Sequence, residues 1–182
     1  MGKLGTSTIT PVELENAIHQ RVTAGFGVVS EAELKEIVLD AKNRGEKIVM
    51  TNGCFDILHV GHVSYLEKAA KLGKHLIIGV NSDASVQRLK GDTRPLVQEL
   101  DRARILASLA CVDAVVIFPE DTPAKLIKLI RPDILVKGGD YLPEQVAGRE
   151  YAGKVEIIEF EQGYSTTGLV EKIAGLAREG KL

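Results

Sequence analysis

The sequence predicts an α/β fold in which a doubly wound, five-stranded and mainly parallel sheet is covered by helices on both faces. Short β-rich runs alternate with helical patterns along the chain. The strand segments are continuous apolar runs, which are typical of parallel strands buried on both faces. At 182 residues and 45% apolar content, the chain is long enough to bury the core of one such domain.

The predicted elements follow in order. The first helix begins at Ser30, where Glu33 completes a capping box, and ends at Gly45. Residues 81–96 are predicted as a long polar loop with one helical turn at 85–89. The five strands are predicted at 47–51, 75–80, 114–118, 134–137 and 155–160, and the other helices at 60–72, 99–109, 123–130 and 167–177. Residues 1–29 are less patterned and are predicted as an N-terminal extension to a domain at 30–182.

Composition excludes several classes of protein. A net charge of −2 provides no basic footprint for nucleic acid. No apolar stretch approaches the ~20 residues that span a bilayer, and the N-terminus lacks an apolar secretory segment. The two cysteines, Cys54 and Cys111, cannot by themselves form a disulfide framework or a zinc site. We therefore expect a cytoplasmic protein with neither a nucleic-acid nor a membrane partner.

Residues whose side chains could bind a ligand or take part in a reaction cluster directly after the predicted strands. The clusters are 52–62, 81–94, 137–141 and 162–167. In open parallel sheets, ligands bind outside the carboxyl ends of the strands. The four clusters should therefore converge on one site.

The segment 51–62 leaves a strand, turns at Gly53 and enters a helix. His59 and His62 are three residues apart, so they project from one face at the helix start, and Gly61 allows close approach to the backbone. A helix N-terminus with two imidazoles favours an anion. A zinc site would need a third ligand that the spacing does not supply, and Cys54 fits a small turn residue better than a nucleophile.

These residues carry a family resemblance. The run His59-Val60-Gly61-His62, preceded by Gly53-Cys54-Phe55-Asp56, resembles the first motif of the HxGH nucleotidyltransferase superfamily in its cytidylyltransferase-like form. The run Gly163-Tyr164-Ser165-Thr166-Thr167 resembles a second motif of that superfamily. Residues 51–56, 81–86, 89–91, 94–95, 120–123 and 136–141 are most similar to bacterial D-glycero-β-D-manno-heptose 1-phosphate adenylyltransferases, over about residues 30–173.

The resemblance implies a Rossmann-like nucleotidyltransferase fold for residues 30–182. It also implies a reaction in which ATP and a heptose 1-phosphate give ADP-heptose and pyrophosphate for lipopolysaccharide or surface glycan, with Mg²⁺ assisting. The nucleophile is already an anion, so catalysis needs positioning and charge neutralisation rather than a general base. Members of this size commonly pair, which implies a homodimer, with the two small-molecule substrates as the other partners.

The resemblance also implies residue roles. His59, His62, Lys71 and Arg94 are the expected catalytic donors, with Lys71 the nearest candidate for a phosphate-binding lysine on the first helix of the family. The expected nucleotide-binding residues are Asn52, Gly53, Cys54, Phe55, His59, His62, Lys137, Gly138, Gly139, Asp140, Gly163, Tyr164, Ser165, Thr166 and Thr167. The expected sugar-phosphate residues are Asp56, Asp83, Lys90 and Arg94, and no protein-held metal site is expected.

Other functions remain open at this point. A cytidylyltransferase acting on a small phosphoalcohol such as glycerol 3-phosphate is the nearest alternative enzyme. A non-catalytic nucleotide-binding module is the alternative of another class. A P-loop kinase is excluded because Gly73-Lys74 is followed by His75 and lacks the upstream glycine of that motif. A dinucleotide dehydrogenase is excluded because Gly25-Phe26-Gly27 precedes the first predicted strand.

Overall fold

A computed structural model describes residues 27–139, 142–159 and 163–182. Strands in these ranges form one sheet in the order β1-β4-β3-β2-β5-β6, and every neighbouring pair is parallel. The strands are β1 Gly27–Val28, β2 Ile48–Gly53, β3 His75–Asn81, β4 Ala114–Phe118, β5 Ile134–Gly138 and β6 Lys154–Ile158. The predicted parallel α/β fold is confirmed, but the predicted count of five strands is wrong because the sheet has six.

The additional strand, β1, is only two residues long. Gly27 and Val28 pair with Ala114 and Val115 at the edge of the sheet. A two-residue edge strand has no periodicity to detect, since a strand pattern needs about four residues. The sheet therefore begins ahead of residue 30, and the proposed division between an extension at 1–29 and a domain at 30–182 stays a prediction. Residues 1–26 of that extension lie outside the described residues.

The helices agree with the sequence pattern except in the 81–96 segment. They are α1 Glu31–Asn43, α2 Val60–Ala70, α3 Asp83–Lys90, α4 Glu99–Ala107, α5 Ala124–Ile130 and α6 Thr166–Arg178. The capping box is present, since the Glu33 carboxylate accepts a 2.7 Å bond from the Ser30 N–H and the Glu33 N–H donates to the Ser30 hydroxyl. A two-turn helix replaces the predicted single turn at 85–89. The Ser82 hydroxyl caps α3 and Val86 is buried beneath it, which is too little apolar content for a recognisable period.

Two apolar clusters lie on opposite faces of the sheet. On one face Leu34 of α1 and Ile127 of α5 pack with Met50 and other strand residues. On the other face Leu66 of α2 and Leu106 of α4 pack with a second set of strand residues. Successive strand side chains point to opposite faces, so each of the strands β2 to β6 contributes to both clusters. This arrangement explains why the strands are continuous apolar runs.

The order in which the strands are added to the sheet reverses between β2 and β5. From β2 the chain passes through α2 to β3 on one side, while β5 pairs with β2 on the other. The carboxyl ends of these neighbouring strands therefore border a crevice, the usual ligand site of an open parallel sheet. Across the described ranges, no helix is long and apolar enough to cross a membrane.

Candidate active site

The turn between β2 and α2 is built around Phe55. This residue has a φ of 48°, a left-handed conformation that costs a non-glycine residue roughly 1–3 kcal/mol. In return its buried ring meets the His62 ring edge to face, with centroids 5.4 Å apart. A Cβ on Gly53 would lie 3.1 Å from the Phe55 ring. Glycine at 53 therefore makes room for the aromatic side chain that packs against His62.

His59 and His62 lie side by side at the start of α2. His59 is the N-cap residue, and the two ring centroids are 3.9 Å apart. Burial lowers the pKa of His59. Burial, with repulsion from His59 and Lys90, lowers the pKa of His62 to about 4. Both rings are therefore expected to be neutral at pH 7, and each then has one N–H donor and one acceptor nitrogen.

The Nδ1 atoms of both histidines are buried and have no hydrogen-bond partner among the described residues. Buried polar atoms in proteins are normally paired. The arrangement is what a polar ligand at the N-terminus of α2 requires, because it would supply the missing partner. The N-terminus of a helix favours anions for the same electrostatic reason.

Gly61 lets the second family motif approach the first. A Cβ at this position would lie 3.0 Å from the Tyr164 Cβ and 3.1 Å from His59 Nδ1. The rings of His59 and Tyr164 are nearly parallel, with centroids 6.5 Å apart. The predicted convergence of the segment at 59–62 with the segment at 163–167 is therefore observed.

The start of α6 closes one side of the site. Ser165 caps the helix by accepting a 3.0 Å bond from the Gly168 N–H. The Thr166 hydroxyl donates to the carbonyl of Ile57 in the β2–α2 turn, at 3.4 Å. Gly163 precedes the cap with a φ of 88°, and Thr167 is exposed in the first turn. Capping and anion binding use the same helix end, so Ser165 is compatible with both.

Two adjoining cavities occupy the cleft. One, of about 200 Å³, lies between His59, Gly61 and Tyr164. The other, of about 300 Å³, runs from Asn52 past Cys54 to Lys90, Lys137 and Gly138. Both are lined by His62, Tyr65 and Thr166. His62 therefore borders both cavities, whereas His59 lines only the first.

Lys137 and Asn52 bridge the gap between β5 and β2. The Lys137 ammonium donates a 2.6 Å hydrogen bond to the Asn52 side-chain oxygen. Burial lowers the pKa of Lys137 to about 8. Gly138 follows Lys137 and is the last residue of β5. The N–H of Gly139 donates a hydrogen bond to the carbonyl of Ile158 in β6. Asp140, the next predicted nucleotide-binding residue, lies outside the described residues.

Asp56 is not free to bind a sugar hydroxyl as we expected. Its buried carboxylate accepts hydrogen bonds from Arg94 Nη1 at 2.6 Å and from the N–H groups of Leu96 and Val97 at 2.6 and 3.1 Å. Burial would raise the pKa of Asp56, but these donors outweigh burial and hold that pKa below its ordinary value. The carboxylate therefore fastens the loop that carries Arg94, and it engages one nitrogen of the predicted catalytic guanidinium.

Arg102 is a site-building residue that the sequence analysis missed. It is 1% exposed and donates to four oxygen atoms from three segments of the chain. Its partners are the carbonyls of Cys54, Asn81 and Val97 and the Asp83 carboxylate. Asp83, a predicted sugar-binding residue, is thus paired with Arg102 while about one third of its side chain stays exposed. The helical pattern at 99–109 shows only that Arg102 is on a helix, because its partners are distant in sequence.

Tyr65 was also missed. Its hydroxyl lies 2.6 Å from the Thr51 hydroxyl, and burial raises its pKa to about 12. The side chain lines both cavities. Its position three residues after His62 was a usable signal, since residues three apart share a helix face.

Lys71 is the predicted catalytic residue that the fold places elsewhere. It is the C-cap of α2, and twelve steps of about 1.5 Å along the helix place it roughly 18 Å from His59. Helix α2 runs back from the carboxyl edge of the sheet, so Lys71 lies at the opposite edge. Lys90, at the end of α3, lines the cavity beside His62 as predicted.

The described residues provide no cluster of three or more His, Cys, Asp or Glu side chains suited to a metal ion. The carboxylate in the cleft, Asp56, already has three donors. We therefore assign no protein ligand to Mg²⁺. Magnesium ordinarily travels on nucleotide phosphates with few protein ligands, which these residues accommodate.

Comparison with known proteins agrees with this geometry. The cytidylyltransferase-like family profile matches residues 50–172, from β2 through the first two turns of α6. The chain belongs to the cytidylyltransferase-like family. It is a nucleotidyltransferase.

Individual relatives are similar over most of this chain. It is 61% identical over 177 residues, 95% of its length, to the bifunctional protein HldE of Haemophilus influenzae. It is 59% identical over 180 residues to the bifunctional protein HldE of Pasteurella multocida. The chain spans 37% and 38% of the length of these two curated relatives.

Solved structures share the fold. The lipopolysaccharide core biosynthesis protein of Thermoplasma volcanium is 30% identical with a TM-score of 0.54, and the match covers 66% of this chain and all of that one. Pantothenate synthetase from Thermus thermophilus is 17% identical with a TM-score of 0.51, covering 74% of this chain and 61% of that one. The second likeness is one of fold alone.

Proposed function

We propose that this nucleotidyltransferase transfers AMP from ATP to a D-glycero-D-manno-heptose 1-phosphate. A phosphate oxygen of the sugar attacks the α-phosphorus, an oxygen–phosphorus bond forms, and the bond from the α-phosphorus to the bridging oxygen breaks. ADP-heptose and pyrophosphate are the products. The names of the two HldE relatives and of the lipopolysaccharide core biosynthesis protein support the sugar assignment.

The observation that carries the proposal is the pair of neutral histidine rings at the start of α2. Their Nδ1 atoms are buried and have no hydrogen-bond partner in the part of the chain that the structure describes, and His62 borders both cavities. Neutral imidazole donors can bind an α-phosphate without the cost of desolvating two further charges. As negative charge shifts to the departing pyrophosphate, preorganised donors stabilise it. We assign that role to His59 and His62.

Charge neutralisation comes from the surrounding cations and helix ends. Lys90 lines the histidine cavity, and the start of α6 presents backbone N–H groups beside Thr166. Arg94 keeps one guanidinium nitrogen on Asp56 and can offer the other to the sugar phosphate. Magnesium bound to the ATP phosphates supplies further positive charge. The attacking phosphate is already anionic, so the Cys54 thiol has no step to perform.

The experiment is pyrophosphate release across a panel of ATP, CTP, GTP and UTP against both anomers of heptose 1-phosphate, mannose 1-phosphate and glycerol 3-phosphate. We expect ATP with one heptose 1-phosphate to have the highest kcat/KM. The double variant His59→Ala/His62→Ala gives the background. Preference for CTP with glycerol 3-phosphate would establish the alternative cytidylyltransferase, and the absence of pyrophosphate with every pair would indicate a nucleotide-binding module.

Two further properties belong to this proposal. ATP and sugar phosphates are metabolites of the cytoplasm, so we propose that compartment. The homodimer implied by the family resemblance also stays a proposal. Light scattering of the purified chain should give twice the monomer mass of 19.7 kDa, and a monomer mass would refute it.

A further inference from the structure

Lys137 is held in the cleft by one neutral partner. It lies at the end of β5, next to the end of β2, and its ammonium donates 2.6 Å to the Asn52 side-chain oxygen. No carboxylate of the described residues forms an ion pair with it. An ammonium has three N–H donors. Asn52 accepts one, which fixes the direction of the side chain and leaves two donors for the cavity.

The other ionisable groups of the cavity form no ion pair with this ammonium among the described residues, although the Cys54 thiol favours its charged form and so acts to raise its pKa. Those that line it with Lys137 are Cys54, Asp56, His62, Tyr65 and Lys90. Asp56 is committed to Arg94, and the Tyr65 hydroxyl pairs with Thr51. The pKa of about 4 leaves His62 uncharged at neutral pH, while Lys90 adds a second positive charge. The described lining therefore has an excess of positive charge, which a bound anion would balance.

We propose that Lys137 is a phosphate-binding residue of this cleft, positioned by Asn52 and taking its remaining hydrogen-bond partners from a phosphate group of a substrate. This rests on the proposed function only in that the substrates carry phosphates. The phosphate can belong to ATP or to the sugar 1-phosphate. The shared chemistry is a phosphate anion against a half-buried ammonium at the β2–β5 gap.

Binding should then be linked to proton uptake. Burial lowers the pKa of Lys137 to about 8, so near pH 8 about half of the free protein carries the proton. An adjacent phosphate raises the pKa of an ammonium, and the bound state is then fully protonated. Phosphate monoesters have a second pKa of about 6, so the ligands themselves contribute little at pH 8. The expected uptake is about half a proton per ligand bound.

The test is calorimetric titration at pH 8 in two buffers of different ionisation enthalpy, such as Tris and HEPES. One arm uses Mg-ATP alone and the other uses a sugar 1-phosphate alone, so turnover does not occur. The arm that shows uptake identifies the substrate whose phosphate Lys137 binds. Uptake below about a tenth of a proton in both arms, together with unchanged affinity of Lys137→Met for both ligands, would overturn the proposal.

Variants of Lys137 distinguish the effect of its positive charge on binding from the proton uptake that accompanies binding. Lys137→Met should weaken binding in the same arm about 10- to 100-fold, the range for a hydrogen bond to a charged group. Lys137→Arg keeps a permanent charge, so it should retain most of the affinity and lose the uptake. The control is Lys154→Met, which removes an equivalent charge at the start of β6, where the side chain is exposed and paired with Glu156. It should change neither the binding affinity nor the proton uptake.

Each outcome has a defined meaning. Unchanged affinity of Lys137→Met in both arms, or uptake retained by Lys137→Arg, would refute the role of Lys137. If Lys137→Met does not fold, the Lys137→Arg comparison decides. If uptake is observed but no pyrophosphate is released with any substrate pair, the proposed function fails while the phosphate-binding role stands.

Discussion

Arg94 Nη1 lies 2.6 Å from Oδ2 of Asp56, with only 2% of the Asp56 side chain and 19% of the Arg94 side chain exposed. The other Asp56 oxygen accepts the N–H groups of Leu96 and Val97. One carboxylate of the first motif thus anchors the segment between α3 and α4. Three of the roughly four acceptor sites of this carboxylate are occupied, so we expect Asp56 to influence substrate binding mainly through the loop that it holds.

Asp56→Asn should disturb this loop more than it disturbs the histidines. The amide cannot accept as strongly and places an NH₂ group against a donor, so we expect a loss of roughly 2–3 kcal/mol in the free energy of unfolding. The KM for the sugar phosphate should rise, since Arg94 loses its anchor. Asp40→Asn, which removes an exposed partner of Arg44 on α1, is the control and should change stability little. Equal stability of both variants in urea unfolding would contradict the anchoring role.

Arg102→Lys should be the most destabilising conservative change at the site. A lysine has one ammonium and cannot reach four acceptors from three segments, so some of the three carbonyls and the Asp83 carboxylate lose their donor. We expect about 3 kcal/mol of destabilisation and a lower kcat. Arg104→Lys on the same helix, where the side chain is exposed, is the matched control. If Arg102→Lys and Arg104→Lys had the same Tm, the proposed role of Arg102 in holding these segments together would be wrong.

His59→Ala and His62→Ala should each lower kcat/KM at least about 10²-fold, since one preorganised donor is worth roughly 2.7–4 kcal/mol in the transition state. Tm should change little, because the Nδ1 atoms make no internal hydrogen bond among the described residues. His75→Ala provides the opposite pattern. His75 is buried at the start of β3 and pairs with Glu46 at 2.7 Å, so its loss should reduce Tm and spare kcat/KM.

His62→Gln should make stability less dependent on pH. The pKa of His62 falls from 6.5 in the unfolded chain to about 4 in the folded one. Between these values the unfolded chain binds a proton that the folded protein does not, so wild-type stability decreases as pH falls from about 6.5 to about 4. We expect the wild type to lose free energy of unfolding relative to the variant in that window. Parallel urea curves at pH 7 and pH 4.5 that show a constant difference would refute the shift.

Gly61→Ala tests the close approach of the two motifs. The added methyl would meet Tyr164 Cβ at 3.0 Å and His59 Nδ1 at 3.1 Å, so Tyr164 and His59 must shift by a few tenths of an ångström. We expect kcat/KM to fall tenfold or more, since small displacements of reacting groups are costly. Gly175→Ala in α6 has no atom within 4 Å of its added Cβ and should stabilise the helix by about 0.5–1 kcal/mol. Equal activity of the two variants would contradict this packing.

Local sequence patterns determined much of the molecule. Continuous apolar runs separated by amphipathic segments predicted a parallel sheet with helices on both faces, because burial on both faces leaves no polar alternation. The spacing of His59 and His62 and the glycine between them predicted an anion site at a helix start. The rule that ligands lie at the carboxyl ends of strands predicted the convergence with Thr166.

Only the tertiary structure decided which charged residues face the cleft. Asp56 and Asp83 lie in segments that were predicted to bind the sugar phosphate. In the structure Asp56 forms an ion pair with Arg94, and Asp83 forms one with Arg102. Lys71 is close in sequence to His62, but α2 carries it to the opposite edge of the sheet. Lys137 meets Asn52 across 85 residues of chain. Periodicity records which face of an element is buried, whereas the pairing of charges depends on how distant segments pack, and no local pattern contains that information.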